Sequence, residues 1–342
     1  MKALTKQTMT PQEKITIYDV ARAAGVSIAT VSRVLNTPKR VSKVKREKVL
    51  DVIEQLGFVP KADARERARK EIGRIGVITP FFTLPSYAQR LRGIAAALAD
   101  SPYDLTIYSV DSQERLDGYL TVLPLSNQLD GLIIVTLPID DASLRRLQQS
   151  AIPTLLLENR IAGFASIEID NFYGGKLAAQ HFIEKNHSRC AYVGDRVLPE
   201  YTLRPENARL DGYRQVLLQH GLSLPDEYIK LPAFPPRDPS NQVHELLDLP
   251  DPPTAIFAAT DDLALHVMKV ARKRGVRIPD NLALIGFDDI DIAKYLELTT
   301  ISQSLYESGR LAVEHLISQI ADSSRPINNT FIQLKLIERG TT

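Results

Sequence analysis

Acidic and amide side chains follow several short apolar runs of this 342-residue chain. They are Glu158 and Asn159, with Arg160 beside them, then Asp170 and Asn171, then Asp261 and Asp262, and finally Asp288 and Asp289. Carboxylates and amides pair well with hydroxyl groups, and aromatic side chains such as Phe81, Phe82, Tyr87 and Phe234 cover the apolar faces of a ring. Together they predict a site for a neutral, polyhydroxylated small molecule.

Two other interpretations of these polar residues compete with ligand binding. Asp or Asn after a strand often caps the next helix, and this role fits Asp170 and Asp261 as well as ligand contact does. Arg209 and Asp288 favour the ligand role. The acid pairs also invite a glycosidase interpretation, but adjacent residues leaving a strand point in different directions, so neither pair defines a site.

The sequence carries no motif for catalysis or for a bound cofactor. It has no G-x-G-x-x-G, Walker, H-E-x-x-H or G-x-S-x-G pattern. Six scattered histidines and one cysteine provide no convincing set of metal ligands. We therefore predict a protein that is not an enzyme and that needs neither a metal nor a cofactor.

A second chemistry is indicated near the N-terminus, between Ile17 and Asn36. Apolar residues recur there at i, i+3, i+4 and i+7, at positions Ile17, Val20, Ala21 and Ala24. Gly25 can end that helix and Ser27 can cap the next one. The second helix has an inward apolar face and an outer face without large apolar side chains, which suits the major groove of DNA. The pattern predicts a helix-turn-helix, although an ordinary three-helix bundle would show similar spacing.

DNA contacts should fall on the start and outer face of the second helix. Arg33 is the best candidate for a guanine contact, beside Ile28 and Ala29. The full predicted set is Ile17, Ser27, Ile28, Ala29, Thr30, Ser32, Arg33, Asn36, Lys61 and Arg67. Lysines and arginines around a third helix, predicted from Ser42 to Leu56, would meet phosphates.

The charge distribution supports DNA binding by the N-terminal part. Residues 1–71 hold 16 Lys and Arg against 8 Asp and Glu, net +8, whereas residues 72–342 hold 26 against 33, net −7. A basic module on an acidic body is typical of a nucleic-acid-binding domain joined to another domain. The near-neutral total of +1 hides this asymmetry.

The body, residues 72–342, alternates β-rich runs with helical patterns. Strands are predicted at 75–79, 105–110, 131–135, 154–158, 166–169, 190–194, 255–259 and 282–287, with a last one at 331–337. Apolar strands separated by helices predict parallel, doubly wound sheets, and their number predicts two α/β lobes. Ligands of such sheets bind at the carboxyl ends of strands. Neither a secretory signal nor a membrane span is evident, so we predict a cytoplasmic protein in which Cys190 is a buried core thiol.

These motifs, in this order, resemble the LacI/GalR family of bacterial transcriptional repressors. The resemblance rests on IYDVARAAGVSIATVSRVLN and VSKVKREKVLDVIEQLGFVP, then IGVITPFF, RLRGI, DGLII, IPTLLLENR, IDNFYGG, ARLDGY, ATDDLAL, IGFDDI and TTISQS. It implies a helix-turn-helix DNA-binding domain over 1–60, a hinge over 61–71 and a periplasmic-binding-protein-like core over 72–342. Lobe one would take 72–169 and 302–328, and lobe two 170–301 and 329–342.

The resemblance also implies ligand, partner and mechanism. Phe81, Tyr87, Glu158, Arg160, Asp170, Arg209, Phe234, Asp261, Asp288 and Gln303 would line the cleft between the lobes. The chain would bind a palindromic operator as a homodimer, and an effector, most simply a sugar, would control that binding by allostery. Two alternatives stay open: a nucleoside or purine-like effector, and a sugar-binding protein without a DNA role. The effector is either an inducer or a corepressor.

One position departs from the family pattern. The hinge usually carries a Leu that wedges into the minor groove, and this chain has Arg67 there. Arginine suits a narrow A·T minor groove, so we hypothesise less DNA bending and no demand for a central C-G step. A bound structure with a sharply kinked centre, or an unchanged operator preference in Arg67→Leu, would contradict this hypothesis.

Overall fold

The chain forms two compact units, Met1–Gly73 and Arg74–Thr342, in a computed structural model. The structure describes residues 15–36, 41–56, 58, 72–126, 128–150, 152–195, 199–232 and 238–342. Lys61, Arg67 and Phe234 lie outside these ranges, as does the predicted hinge.

The described residues of the first unit form three helices, α1 (Ile17–Ala24), α2 (Ile28–Asn36) and α3 (Lys43–Leu56). Val20, Ala24, Val31 and Val49 are fully buried between them. These residues come from all three helices, because each helix repeats its apolar side chains along one face. The predicted all-α head is confirmed.

The turn between α1 and α2 follows the sequence closely. Gly25 adopts a left-handed conformation with φ +64°, which a residue with a Cβ rarely takes. The Ser27 hydroxyl accepts a hydrogen bond of 3.2 Å from the Thr30 N–H and so caps α2. At the start of α1 the Asp19 carboxylate accepts the Thr16 N–H at 2.9 Å, a cap that the sequence analysis missed.

The second unit contains two lobes, each built on one sheet. Lobe one begins with β1 (Gly73–Pro80), α4 (Pro85–Leu98), β2 (Tyr103–Val110), α5 (Gln113–Val122), β3 (Gly131–Val135), α6 (Asp141–Gln149), β4 (Thr154–Leu157) and β5 (Ala165–Ile169). Lobe two contains α7 (Asn171–Glu184), β6 (Cys190–Val193), α8 (Pro205–Gln219), β7 (Ile229–Lys230), α9 (Ser240–Leu247), β8 (Ala255–Ala258), α10 (Asp261–Lys273), β9 (Ala283–Asp288), α11 (Asp291–Tyr295) and β10 (Thr299–Ser302). The chain ends with α12 (Leu305–Ala321), β11 (Asn329–Ile332) and β12 (Lys335–Ile337).

Both sheets are doubly wound, as predicted. Their strand orders are β11-β5-β4-β3-β1-β2 and β12-β10-β9-β8-β6-β7. β3 runs parallel to β1 and β4, and β8 runs parallel to β6 and β9, whereas β12 is antiparallel to β10. The carboxyl ends of the central strands therefore face the region where the lobes meet.

The late crossings between the lobes differ from the predicted boundaries. Ser302 pairs with Asp288 in the sheet of lobe two, and it was expected in lobe one. Residues 329–332 were expected in lobe two, but β11 pairs with β5 in lobe one. The single strand predicted at 331–337 is in fact two strands, because the chain passes from one sheet to the other at Gln333 and Leu334. Strand β10 was not predicted.

Glycines allow two pairs of helices to pack backbone to backbone. A Cβ placed on Gly93 of α4 would lie 1.9 Å from the Tyr306 carbonyl oxygen of α12. A Cβ on Gly175 of α7 would lie 1.9 Å from the Arg209 carbonyl oxygen of α8. These contacts fix α4 and α8, which carry arginines of the site described below.

Cys190 lies in the core of lobe two, as predicted, and burial raises the pKa of its thiol to about 11. In the described ranges of the chain, no helix is both long and apolar enough to cross a membrane.

Candidate effector cleft and DNA-contact surface

A cleft lies between the two lobes of the second unit. Lobe one contributes Phe81, Leu84, Ser86, Tyr87, Arg90 and Glu158, lobe two contributes Leu203, Pro205, Glu206, Arg209, Thr260 and Asp288, and Gln303 comes from the crossing after β10. The carboxyl ends of β4, β8 and β9 supply Glu158, Thr260 and Asp288, as the doubly wound topology requires.

Arg90 is the centre of the lobe-one wall. Its side chain is buried and forms an ion pair with Glu158. The guanidinium also donates to the Ser308 hydroxyl at 3.0 Å and to the Gln303 side-chain oxygen at 3.2 Å. Glu158 follows β4 with a positive φ of 56°, so the backbone turns sharply there and directs the carboxylate toward α4.

Gln303 joins this wall to lobe two. Its Nε2 donates to the carboxylate of Asp288, while its Oε1 accepts from Arg90. Asp288 is buried at the end of β9 and has φ 119°, outside the usual range for a side-chain-bearing residue. Such an unusual backbone persists only where the surroundings fix it, as they do at binding sites.

Arg209 forms the lobe-two wall. Its Nε donates to the Asn171 side chain at 2.9 Å and its Nη1 donates to the Ala259 carbonyl at 2.6 Å. The guanidinium also lies 3.6 Å from the centre of the Phe287 ring, in a cation–π arrangement. These contacts hold a buried cation in one orientation before any ligand arrives.

Aromatic rings form one end of the cleft. Phe81 and Tyr87 contact each other edge to face, with their ring centres 6.0 Å apart, and Tyr201 lies 6.4 Å from Phe81. Burial, and then the Glu158 and Glu206 carboxylates, raise the pKa of Tyr87 above its usual range. The Tyr87 phenol therefore keeps its proton and can donate a hydrogen bond.

Six of the ten predicted effector residues line this cleft, namely Phe81, Tyr87, Glu158, Arg209, Asp288 and Gln303. Arg160 does not, since its side chain is 68% exposed and lies 3.7 Å from Glu168. The Asp170 carboxylate accepts the Tyr173 N–H at 2.8 Å and caps α7. Helix capping, the simpler interpretation, therefore accounts for Asp170.

Asp261 lies behind the cleft rather than in its lining. Its carboxylate accepts the Ile290 N–H at 2.8 Å and the Thr300 hydroxyl at 2.5 Å. Burial, and then the nearby Asp288 carboxylate, raise the pKa of Asp261 well above its usual range. The neighbouring Thr260 lines the cleft in its place.

Seven residues line the cleft that were not predicted from the sequence as effector contacts: Leu84, Ser86, Arg90, Leu203, Pro205, Glu206 and Thr260. Arg90 follows Tyr87 by three positions on one helix, so helical spacing alone places both on one face. That signal could have identified Arg90. No comparable periodicity marks Leu203 or Pro205.

The turn after β9 connects the lobes outside the cleft as well. The Asp291 N–H donates to Gln89 Oε1 at 3.0 Å, and Gln89 Nε2 donates to the Asp289 carbonyl at 3.3 Å. Arg92 of α4 forms an ion pair with Asp291. The four consecutive residues 288–291 therefore include both a cleft residue, Asp288, and the residues that make these contacts between the lobes.

The outer face of α2 in the first unit is open to solvent. Ile28 is 40% exposed and Ala29 and Arg33 are exposed, whereas Thr30 and Ser32 are half-buried. Ile17 packs against the core of the unit. Ser27 serves as the cap of α2. The side chain of Asn36 lies outside the described part of the structure. The surface offers donors and small side chains at the spacing that a groove-binding helix needs.

Comparison with known proteins gives the same picture. Residues 16–61 match the family model of bacterial regulatory proteins of the lacI family, and residues 179–342 match the periplasmic binding protein-like domain. The chain is 32% identical to the HTH-type transcriptional repressor CytR of Escherichia coli strain K12, over 100% of this chain and 99% of that one.

Two solved structures are similar along almost the whole chain. A lac repressor dimer bound to operator and the anti-inducer ONPF has a TM-score of 0.70 at 26% identity, covering 96% of this chain and 99% of that one. A complex of the transcriptional regulator CelR with cellobiose has a TM-score of 0.66 at 27% identity, covering 96% and 100%. The predicted resemblance is confirmed, and the chain belongs to the lacI family of bacterial regulatory proteins.

Proposed function

We propose that this chain is a transcriptional repressor whose affinity for operator DNA is set by a sugar bound between the two lobes. The cleft carries the proposal: buried cations and carboxylates, already held in place by protein contacts, face a group of aromatic rings. No step of this mechanism changes a covalent bond, so the chain would be a regulator without catalytic activity.

The charges of the cleft support a neutral ligand. Two guanidiniums, Arg90 and Arg209, stand against three acids, Glu158, Glu206 and Asp288. Sugar hydroxyls can both donate to the acids and accept from the guanidiniums without adding a charge to a buried site. The related CelR has been solved with cellobiose, which is a ligand of this kind.

In this function α2 would lie in the major groove of the operator. Arg33 would contact a guanine and the basic residues around α3 would contact phosphates. Two copies of the chain would bind a palindromic operator, since a two-fold dimer presents two identical reading surfaces. The similar lac repressor structure is a dimer bound to operator. Acting on an operator, the chain would work in the compartment that holds the DNA.

Coupling between cleft and operator follows from linkage. A sugar that binds one arrangement of the lobes more tightly shifts the chain toward it, and the head then binds DNA more or less tightly. Such couplings are typically about 1–3 kcal/mol, or roughly 5- to 150-fold in affinity.

The aromatic end of the cleft supports a second candidate, a nucleoside or purine-like effector. A flat base could stack on the Phe81 or Tyr87 ring while its ribose hydroxyls meet the acids.

A thermal-shift screen of the full chain against sugars and nucleosides tests the proposal. One class should raise the melting temperature Tm in Arg214→Lys, a surface control on α8, as it does in the wild type. Arg209→Lys should lose that shift, because lysine cannot reproduce the fork that bonds Asn171 and Ala259. A compound that stabilises Arg209→Lys as strongly as the wild type would place the ligand elsewhere.

A further inference from the structure

Arg90 is connected to acidic residues of both lobes of the cleft. It bonds Glu158 of lobe one directly. It reaches Asp288 of lobe two through Gln303, which accepts from Arg90 and donates to Asp288. The resulting chain of contacts, Glu158–Arg90–Gln303–Asp288, connects one lobe to the other.

The Arg90 guanidinium is held too firmly to adapt to a ligand by itself. Its Nε is fixed by Ser308 of α12, and α12 packs directly against α4, where a Cβ on Gly309 would lie 2.2 Å from the Arg90 carbonyl oxygen. The planar fork of arginine can serve three partners at fixed angles, which a lysine ammonium cannot do. Backbone packing and side-chain bonds therefore set the direction of one cation, and that cation sets the direction of two acids.

We propose that Arg90 is the positioning residue of the effector cleft: it fixes Glu158 and Asp288 as acceptors for ligand hydroxyls and selects neutral over anionic ligands. This inference rests on the function proposed above. Selection follows because the guanidinium is already paired with Glu158, so an incoming carboxylate finds that charge neutralised and two further acids, Glu206 and Asp288, in the same cleft. Breaking the buried pair to receive an anion would leave Glu158 without a counter-charge.

The first test measures ligand selection in the full chain. The probes are matched pairs of a neutral sugar and its uronic acid, glucose with glucuronate and galactose with galacturonate, together with ribose, cellobiose and common nucleosides. The variants are Arg90→Met with Glu158→Gln, which removes both charges and leaves no unpaired acid, and Arg90→Lys. Arg214→Met is the control, since Arg214 is also an ion-paired helix residue, with Asp211 as its partner, and is 46% exposed.

The wild type should bind neutral members of the panel and not the uronates. Affinity for the neutral ligand should fall at least about tenfold in Arg90→Met/Glu158→Gln, as expected for lost hydrogen bonds to charged groups, and should stay within about twofold in Arg214→Met. Arg90→Lys should keep most of the wild-type Tm and still lose affinity for the neutral ligand. If Arg90 served folding alone, a variant that keeps the wild-type Tm would also keep the wild-type affinity. Wild-type affinity in the Arg90→Met/Glu158→Gln variant, or uronate binding by the wild type, would overturn the proposal.

A second test needs no ligand and separates the failure of this inference from the failure of the proposed function. Asp288→Asn is combined with Arg90→Met/Glu158→Gln in a thermal double-mutant cycle. If Arg90 positions Asp288 through Gln303, the losses in Tm should differ from additivity by more than about 2 °C, and a cycle with Arg214→Met should be additive. Additive losses in both cycles would overturn the positioning role. A non-additive cycle with no ligand found in the panel would instead count against the sugar or nucleoside effector.

Discussion

Because α7 packs closely on α8, the substitution Gly175→Ala should destabilise lobe two. The added Cβ would lie 1.9 Å from the Arg209 carbonyl oxygen and 2.8 Å from the Tyr213 nitrogen. Carbon–oxygen contacts in proteins settle near about 3.3 Å, so the helices must separate by roughly 1.4 Å. Both atoms that the new methyl group meets are backbone, so no side-chain rotation can relieve the overlap.

The cost of this separation can be estimated. Overpacking of this kind costs about 1–3 kcal/mol, and alanine in a helix returns up to about 1 kcal/mol. A net loss of about 1–2 kcal/mol lowers Tm by roughly 2–8 °C in a domain of this size. Because the displaced backbone belongs to Arg209, ligand-induced stabilisation should fall as well.

Gly118→Ala provides the matched control for this measurement. Gly118 lies in α5, and apart from its chain neighbours and its own helix backbone no atom of the described residues lies within 4 Å of its added Cβ. The same substitution should therefore raise stability by about 0.5–1 kcal/mol. Both variants are compared with the wild type by circular dichroism melts. A Tm for Gly175→Ala at or above the wild-type value would refute the close approach of the two helices.

Three further predictions concern the head, the buried acid and the contacts between the lobes. Arg33→Ala should weaken operator binding by about 1–3 kcal/mol and relax the preference at one base pair, measured by fluorescence anisotropy; unchanged affinity and preference would exclude Arg33 from base contact. The raised pKa of Asp261 means that its stabilising effect is complete below about pH 4, the ordinary pKa of Asp, and is lost as pH rises through the folded value. The Tm of Asp261→Asn relative to wild type should therefore rise between pH 4 and pH 9, and a constant difference over that range would contradict the shift. Gln89→Ala removes two bonds to the turn after β9, so the distance between spin labels on the two lobes should shift to longer values in the unliganded chain; an unchanged distribution would show that these bonds do not hold the lobes together.

Local chemistry made the head and the central strands predictable. Gly25 and Ser27 act through their own backbone and side chain, so the turn between α1 and α2 can be identified from residue types alone. The central strands are apolar on both faces and stand out for the same reason. The late strands β10, β11 and β12 were harder, because their sheet membership depends on pairing with distant strands and not on their own composition.

The site was only partly predictable for a related reason. Glu158 and Asp288 lie at strand ends, where the topology itself indicates a ligand. Asp261 satisfies the same rule, but its side chain turns into the core to bond Thr300, and sequence does not report that direction. Arg90 was missed because an arginine within an amphipathic helix normally faces solvent, and only the packing of α4 against α12 buries it.

A titration shows whether a compound bound in the cleft changes the affinity of the chain for its operator. The full chain is titrated by anisotropy against an operator selected from genomic fragments, with and without a compound that raises its Tm, in the wild type and in Arg209→Lys. We expect the compound to change the wild-type operator Kd by roughly 5- to 150-fold and to leave that of Arg209→Lys unchanged. An operator Kd that stays the same while the wild-type cleft is saturated would contradict this expectation.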